Sequence, residues 1–355
     1  MRRDLPIFVR AAGSPGAPGS PGVTGSPGVT GSPGAVAAGV AIAADFTARR
    51  HPDWLKAKIA AGDEYQDLRR LVRGLNLNTV CEEARCPNVG ECWDQRTATV
   101  MILGDTCTRA CGFCAIKTGR PTWFDADEPR RVAEAVAAMG LEHVVVTSVA
   151  RDDLADGGAS VFAETIRRLR DRCPGMGVEV LIPDFNGLDA PLRTVMEAGP
   201  DILDHNVETV ERLQAPVRKR ARYDRSLGVL QRAKAYAAEL GRAAHTKSSI
   251  MVGLGEERAE LSQAFRDLRA VDCDILTIGQ YLRPTVAHLP LVRYYHPAEF
   301  AEMKAEALAL GFRHGESGPL VRSSYHARDQ VPGAERRALR RRATVGRDGR
   351  VLPGT

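Results

Sequence analysis

Apolar runs and amphipathic segments alternate along the chain from residue 99 onward. Residues 99–103 and 143–147 have the composition of buried strands, and apolar residues at helical spacing occupy 127–139 between them. Further strand and helix pairs are predicted at 178–182 with 188–196, 202–205 with 207–213, 247–252 with 258–271, and 275–279 with a helix near 298–310.

Repeated strand-helix units predict an α/β fold, with a parallel sheet and right-handed crossovers, closed or partly closed into a TIM-like barrel. Such a barrel collects its functional residues at the carboxyl ends of the strands. Polar residues stand where the predicted strands end, namely Thr147, Ser148, Asp184, His205 and Asn206. No glycine-rich phosphate-binding motif follows a strand, so nucleotide binding by those routes is not supported.

Both ends of the chain differ in composition from this α/β region. Glycine occupies every third position from residue 13 to residue 34, which predicts a disordered segment over 1–50 rather than a packed core. The tail at 331–355 has seven arginines against two acidic residues, and we expect it to be disordered and solvated. The net charge of +5 is small for 355 residues. No nucleic-acid partner is therefore expected.

We expect no membrane-spanning segment. The longest apolar run near the N-terminus, at 35–44, has ten residues, whereas a spanning helix needs roughly 18 or more. A Gly/Pro/Ser tract separates that run from Arg10, unlike the arrangement of a secretory signal. We expect a cytoplasmic protein.

Six of the eight cysteines fall between Cys81 and Cys114. In a long chain with few other cysteines, such clustering indicates metal ligation in a reducing compartment rather than disulfide bonds. The remaining two, Cys173 and Cys273, are expected to be small apolar residues of the core.

Cys107, Cys111 and Cys114 form a C-x3-C-x2-C loop directly after the strand predicted at 99–103. Clusters of four irons normally take four thiolates, so three cysteines leave one iron open to an outside ligand. The alternative is a structural zinc site completed by a cysteine or histidine from elsewhere.

A second triad lies just upstream, where Cys81, Cys86 and Cys92 have the spacing C-x4-C-x5-C. The spacing alone fits half of a ferredoxin-like site or a zinc site. Because only three cysteines are present, another residue must complete either kind of site.

The first loop resembles the cluster motif of radical S-adenosylmethionine enzymes, in which three cysteines after the first barrel strand hold a 4Fe-4S cluster. In that superfamily S-adenosylmethionine chelates the open iron, and one electron from the cluster releases a 5'-deoxyadenosyl radical. The resemblance implies that Phe113 lies beside the adenine and that Ser148 and Asn206 contact the nucleoside or methionine. Such a strand-end Ser or Asn is otherwise more often a helix cap.

The second triad resembles the auxiliary-cluster motif of lipoyl synthases, a resemblance that covers residues 52–328 approximately. Other matching segments are TSVARDDLADGG at 147–158, HNVE at 205–208, TKS at 246–248, MVGLGE at 251–256, GQYLRP at 279–284 and VRSSYHA at 321–327. In that family the fourth ligand of the auxiliary cluster is a serine oxygen, which by position implies Ser324. The family uses this cluster as its sulfur source, which gives the Ser324 ligand a catalytic role.

The resemblance also implies the architecture: a partial (β/α)6 TIM-like barrel at 99–290, an N-terminal cluster-binding extension at 51–98, and a C-terminal segment at 291–330 that closes the site. The implied activity inserts two sulfur atoms, at C6 and C8 of an octanoyl group on a lipoyl carrier domain. A radical is needed because an unactivated C–H bond has no acidic proton for acid-base catalysis to remove.

Two 4Fe-4S clusters and S-adenosyl-L-methionine are the cofactors that the resemblance implies. The implied substrates are octanoylated lipoyl carrier domains, such as 2-oxoacid dehydrogenase E2 subunits and the glycine cleavage H protein. An electron donor such as ferredoxin or flavodoxin and an iron-sulfur carrier protein are the other implied partners.

Two alternatives remain open from the sequence. Another sulfur-inserting radical enzyme, similar to biotin synthase, would share the first loop, but the second triad and the Arg-Ser-Ser-Tyr segment argue against it. A non-catalytic electron carrier or zinc-binding module would not need a barrel of this size, and a carrier would be expected to have complete four-ligand sites.

Overall fold

The structure is a computed structural model that describes residues 8–9, 51–56, 63–74, 78–83, 86–94, 97–242 and 244–330. The disorder predicted for 1–50 and for 331–355 concerns residues outside this set, except for Phe8–Val9, which pair in parallel with Trp123–Phe124. The domain boundaries drawn from the sequence remain predictions. No helix in the described ranges is long and apolar enough to cross a membrane.

One eight-stranded sheet forms the centre of the protein. Its strands in chain order are β1 (Asn78–Thr79), β2 (Thr97–Ile102), β3 (His143–Ser148), β4 (Gly177–Leu181), β5 (Ile202–Asp204), β6 (His245–Val252), β7 (Ile275–Gln280) and β8 (His314–Gly318). Each strand pairs with the next one along the chain, and all pairs are parallel except β1 with β2. This order confirms the predicted α/β fold, a partial TIM-like barrel.

The helices lie in the crossovers of this sheet and in the region before β2. They are α1 (Asp63–Gly74), α2 (Val80–Glu83), α3 (Val89–Asp94), α4 (Glu128–Met139), α5 (Ala159–Arg172), α6 (Asp189–Ala198), α7 (Gln214–Val217), α8 (Tyr223–Glu239), α9 (Arg258–Ala270) and α10 (Pro297–Ala309). Local signals explain several ends. Glu257 and Glu260 form a capping box at the start of α9, and Gly140 ends α4 with a φ of 60°.

One predicted helix was wrong. Residues 207–213 do not form an α-helix; they contain only the 3₁₀ turn Glu211–Leu213, and the crossover helix is α8, further along the chain. The apolar residues Val207, Val210 and Leu213 are buried individually in the loop after β5. Their spacing of three fits a helix, but the chain around them bends so that Glu208 has a φ of 65°.

A seventh parallel strand, β8, was not predicted, and it comes from the C-terminal segment. Its sequence, HGESG, has no alternation of apolar residues, so nothing in it signals a strand. β8 pairs with β7 in register, with Gly318 opposite Gly279. β8 is therefore the edge strand of the sheet, and residues 320–325 follow directly after it.

Alternate residues of the strands have different surroundings. Val144, Val146, Val178 and Val180 pack with the crossover helices in one large apolar core. Between them, buried charged side chains occur, among which the Lys247 ammonium donates to Glu179 at 2.8 Å. The helices therefore cover an apolar outer face, and the other face is polar enough to receive polar ligands at the barrel mouth.

Candidate iron-sulfur and cofactor site

The loop of the first triad begins with a tight turn after β2. Leu103 and Gly104 have φ values of 68° and 87°, a region that costs a leucine free energy. The buried Glu128 carboxylate accepts a hydrogen bond from the Leu103 amide at 2.6 Å. This contact holds the turn that directs the chain into Thr106–Cys107, which pair with Lys117–Thr118.

Backbone contacts hold the middle of the loop across the barrel mouth. The Gly112 amide donates to the Val217 carbonyl at 2.9 Å, and the Gly112 carbonyl accepts from the Leu289 amide at 2.9 Å. A Cβ at Gly112 would lie 2.8 Å from the Leu289 side chain. The loop after β5 and the loop after β7 therefore fix the position of the cysteines from two sides.

The three thiols of the first triad lie close together in a partly accessible but desolvated space. Burial raises the pKa of Cys111 to about 11 and of Cys114 to about 12, and neighbouring thiols of the triad add to both shifts. The Cys107 sulfur accepts hydrogen bonds from the Ala150 amide at 3.3 Å and the Arg109 amide at 3.4 Å. Metal binding would displace the protons of such thiols and supply the missing positive charge.

Arg109, inside the first motif, connects this loop to the ends of two strands. Its guanidinium donates to both oxygens of Asp152 at 2.8 and 2.9 Å and to Asp184 at 2.6 Å. Burial favours the neutral form of each group, but the ion pairs outweigh it, raising the pKa of Arg109 and lowering that of Asp184 to about 2. The sequence assigned no role to Asp152, and the structure makes it part of the support of the cluster loop.

The predicted cofactor contacts lie around the same mouth. Ser148 ends β3 and Asn206 follows β5, and within the described residues the Ser148 hydroxyl and the Asn206 carbonyl oxygen are buried without a hydrogen-bond partner. Phe113 is partly buried and packs with the apolar core around β6 and β7. Buried polar atoms without partners cost free energy, so they fit a site that a polar ligand completes. Their roles remain predictions.

His205 belongs to the core rather than to the mouth. Its Nδ1 lies 2.9 Å from the Ile182 carbonyl, so Nδ1 carries the proton and Nε2 accepts from Ser226 at 3.0 Å. Burial lowers the pKa of His205 to about 4. The Ser226 hydroxyl in turn accepts a hydrogen bond from the Arg218 guanidinium at 3.2 Å. Arg218 directly follows Val217, whose carbonyl binds the Gly112 amide of the first cysteine loop.

The second triad is built by the two short helices before β2. Cys81 lies in α2, Cys92 lies in α3, and the Cys86 amide donates to the Cys81 carbonyl at 3.1 Å. Burial raises the pKa of all three thiols, that of Cys81 to about 11, and the thiols raise one another's values in Cys81 and Cys92. The three are therefore neighbours in space, as a shared cluster requires.

Three contacts hold the C-terminal segment against this triad. The side-chain amide of Asn88 donates to the Leu320 carbonyl at 2.6 Å, and the Tyr325 hydroxyl donates to the Glu91 carboxylate at 3.2 Å. The Thr99 hydroxyl donates to the Ser324 hydroxyl at 2.9 Å. Thr99 also hydrogen-bonds the Cys81 thiol, which opposes the rise of its pKa. Ser324 is thus separated from the second triad by a single threonine.

Besides Arg109 in the first motif, a further arginine lies beside each triad. Arg218 is buried near Cys111, and burial lowers its pKa while Glu208 and Cys111 oppose that effect. Arg322 lies near Cys86, and burial lowers its pKa while Cys86 opposes it. Neither arginine was predicted from the sequence. Arg322 is part of the Arg-Ser-Ser-Tyr segment, so its position next to the serines was the available signal.

The other two cysteines lie away from the triads. Cys273 is fully buried before β7, with its sulfur 3.4 Å from the Ile275 carbonyl, and Cys173 follows the last residue of α5. Both pack in the apolar core or at its edge. Both are free thiols, as expected of small residues of the core.

Comparison with known proteins identifies the class first. The family model of the radical SAM superfamily matches residues 101–268, which contain the first triad, and the model of the N-terminal domain of lipoyl synthase of the radical SAM family matches residues 41–86. This chain, a barrel with a three-cysteine loop at its mouth, is therefore a radical S-adenosylmethionine enzyme.

Curated relatives define the family within that class. The chain is 59% identical to the lipoyl synthase of Symbiobacterium thermophilum, over 84% of this chain and 91% of the relative. It is 60% identical to the lipoyl synthase of Oceanobacillus iheyensis, over 80% of this chain and 90% of the relative. The chain belongs to the lipoyl synthase family.

Solved structures are more distant. The structure is similar to that of methylornithine synthase with a TM-score of 0.43 and 16% identity, covering 71% of this chain and 82% of that chain.

Proposed function

We propose that the chain inserts two sulfur atoms, at C6 and C8 of an octanoyl group carried by a lipoyl carrier domain, and that it uses two clusters to do so. Cys107, Cys111 and Cys114 would hold the cluster that binds S-adenosylmethionine. Cys81, Cys86, Cys92 and Ser324 would hold the auxiliary cluster. The observation that carries the proposal is the contact of Thr99 with both Ser324 and Cys81, at 2.9 Å from the serine hydroxyl.

The residues present fit both groups. Each triad supplies three neighbouring thiols, and burial raises the pKa values of Cys81, Cys86, Cys92, Cys111 and Cys114. The second triad also has a hydroxyl in reach through Thr99. When bound, the clusters and S-adenosylmethionine supply the radical and the sulfur, which no amino-acid side chain provides. The task left to the protein is to hold, orient and shield these groups.

The first site has the features of a chelating site with an open position. The Gly112 contacts fix the cysteine loop, and the Arg109 ion pairs fix its other side against two strand ends. We assign the unpartnered oxygens of Ser148 and Asn206 to polar contacts with the cofactor, and Phe113 to the adenine. Enclosure by the loops after β5 and β7 would exclude water from a reactive radical.

The second site is completed from the far end of the chain. A serine oxygen is a hard ligand compared with a thiolate, so Ser324 would be the exchangeable ligand of a cluster that supplies sulfur. Ser324 lies in a segment held by Asn88, Glu91 and Thr99 rather than by a strand or a helix. Such side-chain contacts leave the segment able to move without unfolding the barrel.

The finer partners are proposals too. Family membership supports an octanoylated carrier protein as substrate; we propose 2-oxoacid dehydrogenase E2 subunits and the glycine cleavage H protein. We also propose ferredoxin or flavodoxin as the electron donor, an iron-sulfur carrier protein as the source of new clusters, and the cytoplasm as the location.

The test is the iron and acid-labile sulfide content after anaerobic reconstitution, for the wild type and for a variant with Cys81, Cys86 and Cys92 changed to alanine. We expect about eight irons in the wild type and about four in the variant, since each triad holds one four-iron cluster. About four irons in both proteins would overturn the two-cluster proposal.

Activity assays separate the chemical alternatives. The triple variant should still cleave S-adenosylmethionine reductively, because the first triad is intact, but should form no 6,8-dithiooctanoyl product. A matched variant, with Cys173 and Cys273 changed to alanine, removes cysteines outside both triads and should keep about eight irons. Loss of iron in that control would contradict the assignment of the ligands.

A further inference from the structure

A basic loop lies between α7 and α8. Residues 218–222 have the sequence Arg-Lys-Arg-Ala-Arg, so four of the five residues are cationic. Arg225 follows in the first turn of α8, and the nearest acidic residue along the chain is Asp224. Positive charge is therefore concentrated on one short segment, although the net charge of the whole chain is only +5.

Contacts with two strand ends and with the first cysteine loop hold this segment at the mouth of the barrel. The Arg220 guanidinium lies 3.4 Å from the carboxylate of Asp152, which follows β3. The Arg225 guanidinium donates to Asp184, which follows β4, at 3.2 Å. Val217, directly before the basic loop, accepts from the first cysteine loop at 2.9 Å. The basic loop is therefore part of the rim around the first site.

Three cations of this loop face solvent. The side chains of Arg220 and Arg222 are 64% and 65% exposed, and Lys219 is exposed as well. We call Lys219, Arg220 and Arg222 the mouth cations. Arg218 differs, because it is buried and its guanidinium donates to groups of the protein. Exposed ion pairs contribute little to stability, so the fold does not account for the mouth cations.

Only part of this charge is neutralised within the protein. Arg222 forms an ion pair with Asp224 at 2.7 Å. The carboxylate of Asp152 is already held by two hydrogen bonds from the arginine of the first motif, so it only partly balances Arg220. Within the part of the chain that the structure describes, Lys219 forms no hydrogen bond or ion pair. The rim therefore presents a positive surface to a molecule that approaches the mouth.

We propose that the mouth cations dock the octanoylated carrier domain, through an acidic surface beside its modified lysine. This inference rests on the proposed function, because it states how the same site receives its substrate. The reacting carbons lie near the end of an octanoyl-lysine arm, so the carrier has to dock at the rim for the arm to enter the barrel. An electron donor needs only to approach the first cluster. Complementary charge at the rim speeds the encounter and orients the partner.

The experiment measures kcat and KM of the reconstituted full chain, with dithionite as reductant so that no donor protein takes part. One substrate is octanoylated glycine cleavage H protein, and the other is a short neutral peptide that carries octanoyl-lysine. The variant K219E/R222E reverses two mouth cations and leaves Arg220 beside Asp152. We expect its KM for the H protein to rise about tenfold, with kcat and the KM for the peptide unchanged.

Two controls accompany this variant. R172E reverses an exposed arginine at the end of α5, at the opposite end of the barrel, and should leave the KM for the H protein unchanged. Added salt should raise the KM of the wild type for the H protein and should change that of K219E/R222E less, because salt screens charges at the rim.

The outcomes separate this inference from the proposed function. A wild type that forms no 6,8-dithiooctanoyl product from either substrate would overturn the proposed function. Product formation with the same KM for the H protein in K219E/R222E and wild type would overturn the docking role alone. An equal loss with the peptide would also overturn it, since the cations would then act on the site itself. A slower rate only with reduced flavodoxin would assign the surface to the electron donor instead.

Discussion

The hydroxyl of Thr99 donates to the hydroxyl of Ser324 across 2.9 Å, although the two residues are 225 positions apart in the chain. Thr99 also contacts the Cys81 thiol, so this residue of β2 touches both the second triad and Ser324. Changing Thr99 to valine keeps the shape of the side chain and removes the hydroxyl. We expect T99V to lower product formation about tenfold, as loss of an outer contact to a metal ligand commonly does.

The measurement that isolates this effect is the ratio of product formed to S-adenosylmethionine cleaved. Thr97 is the matched control, because it is a buried threonine two residues earlier in the same strand. T97V should leave the ratio near that of the wild type. Equal ratios in T99V and T97V would contradict a special role for the Thr99 contact.

Ser323 and Ser324 provide a second internal comparison. If Ser324 is the ligand, S324A should lose at least about tenfold in sulfur insertion and keep reductive cleavage of S-adenosylmethionine. S323A, one residue away in the same segment, should keep both. Product analysis by mass spectrometry distinguishes the two variants, and the reverse pattern would move the ligand assignment to Ser323.

Arg109 should matter for the first cluster and not for the second. Its fork binds Asp152 through two hydrogen bonds and Asp184 through a third, a geometry that lysine cannot reproduce. We expect R109K to lower the rate of S-adenosylmethionine cleavage by about tenfold or more, with the iron of the auxiliary site retained. R130K is the control, since Arg130 forms its ion pairs on the exposed face of α4. A fall of similar size in R130K would contradict the prediction.

Glu128 should make stability depend on pH. Burial raises its pKa from 4.5 to about 7 in the folded protein, despite the hydrogen bond from the Leu103 amide. The folded state then binds more protons than the unfolded state between these values, so stability falls as pH rises from about 4.5 to about 7, by at most about 3 kcal/mol. E128Q should lack this fall.

Calorimetric unfolding at pH 5 and pH 8 tests the difference between wild type and E128Q. The exposed Glu134, on the same helix, is the control, and E134Q should follow the wild type at both values. A difference in the free energy of unfolding between wild type and E128Q that is the same at pH 5 and pH 8 would contradict the raised pKa of Glu128.

Most of the barrel could be predicted because its strands and helices have strong periodic patterns. β3 contains an unbroken run of three valines, and α9 has apolar residues at helical spacing. The pattern failed where tertiary contacts decide the conformation. Residues 207–213 have apolar side chains every third position, yet the chain there pairs with β6, because the Glu208 amide donates to the Ser249 carbonyl and the Glu208 carbonyl accepts from the Met251 amide. β8 is a strand because β7 offers it an edge, not because of its own sequence.

The candidate site was predictable only in part, for a related reason. Cysteines at short spacing signal a metal site from the sequence alone, and both triads have neighbouring thiols in the structure. Contacts between distant residues give no such signal. Arg109 meets Asp184, and Asn88 meets Leu320, only because the barrel brings strand ends and chain termini together. The order of residues along the chain gives no local signal for such long-range contacts.

Gly279 has no side chain and lies one residue before the end of β7. The chain at 321–322 nevertheless depends on it, since a single methyl group there would lie 2.0 Å from the Val321 carbonyl oxygen. In a map of tolerated substitutions across the whole chain, this glycine should therefore rank beside the cysteines of the two triads. A missense change to alanine would have the phenotype of a truncation that removes the last part of the protein.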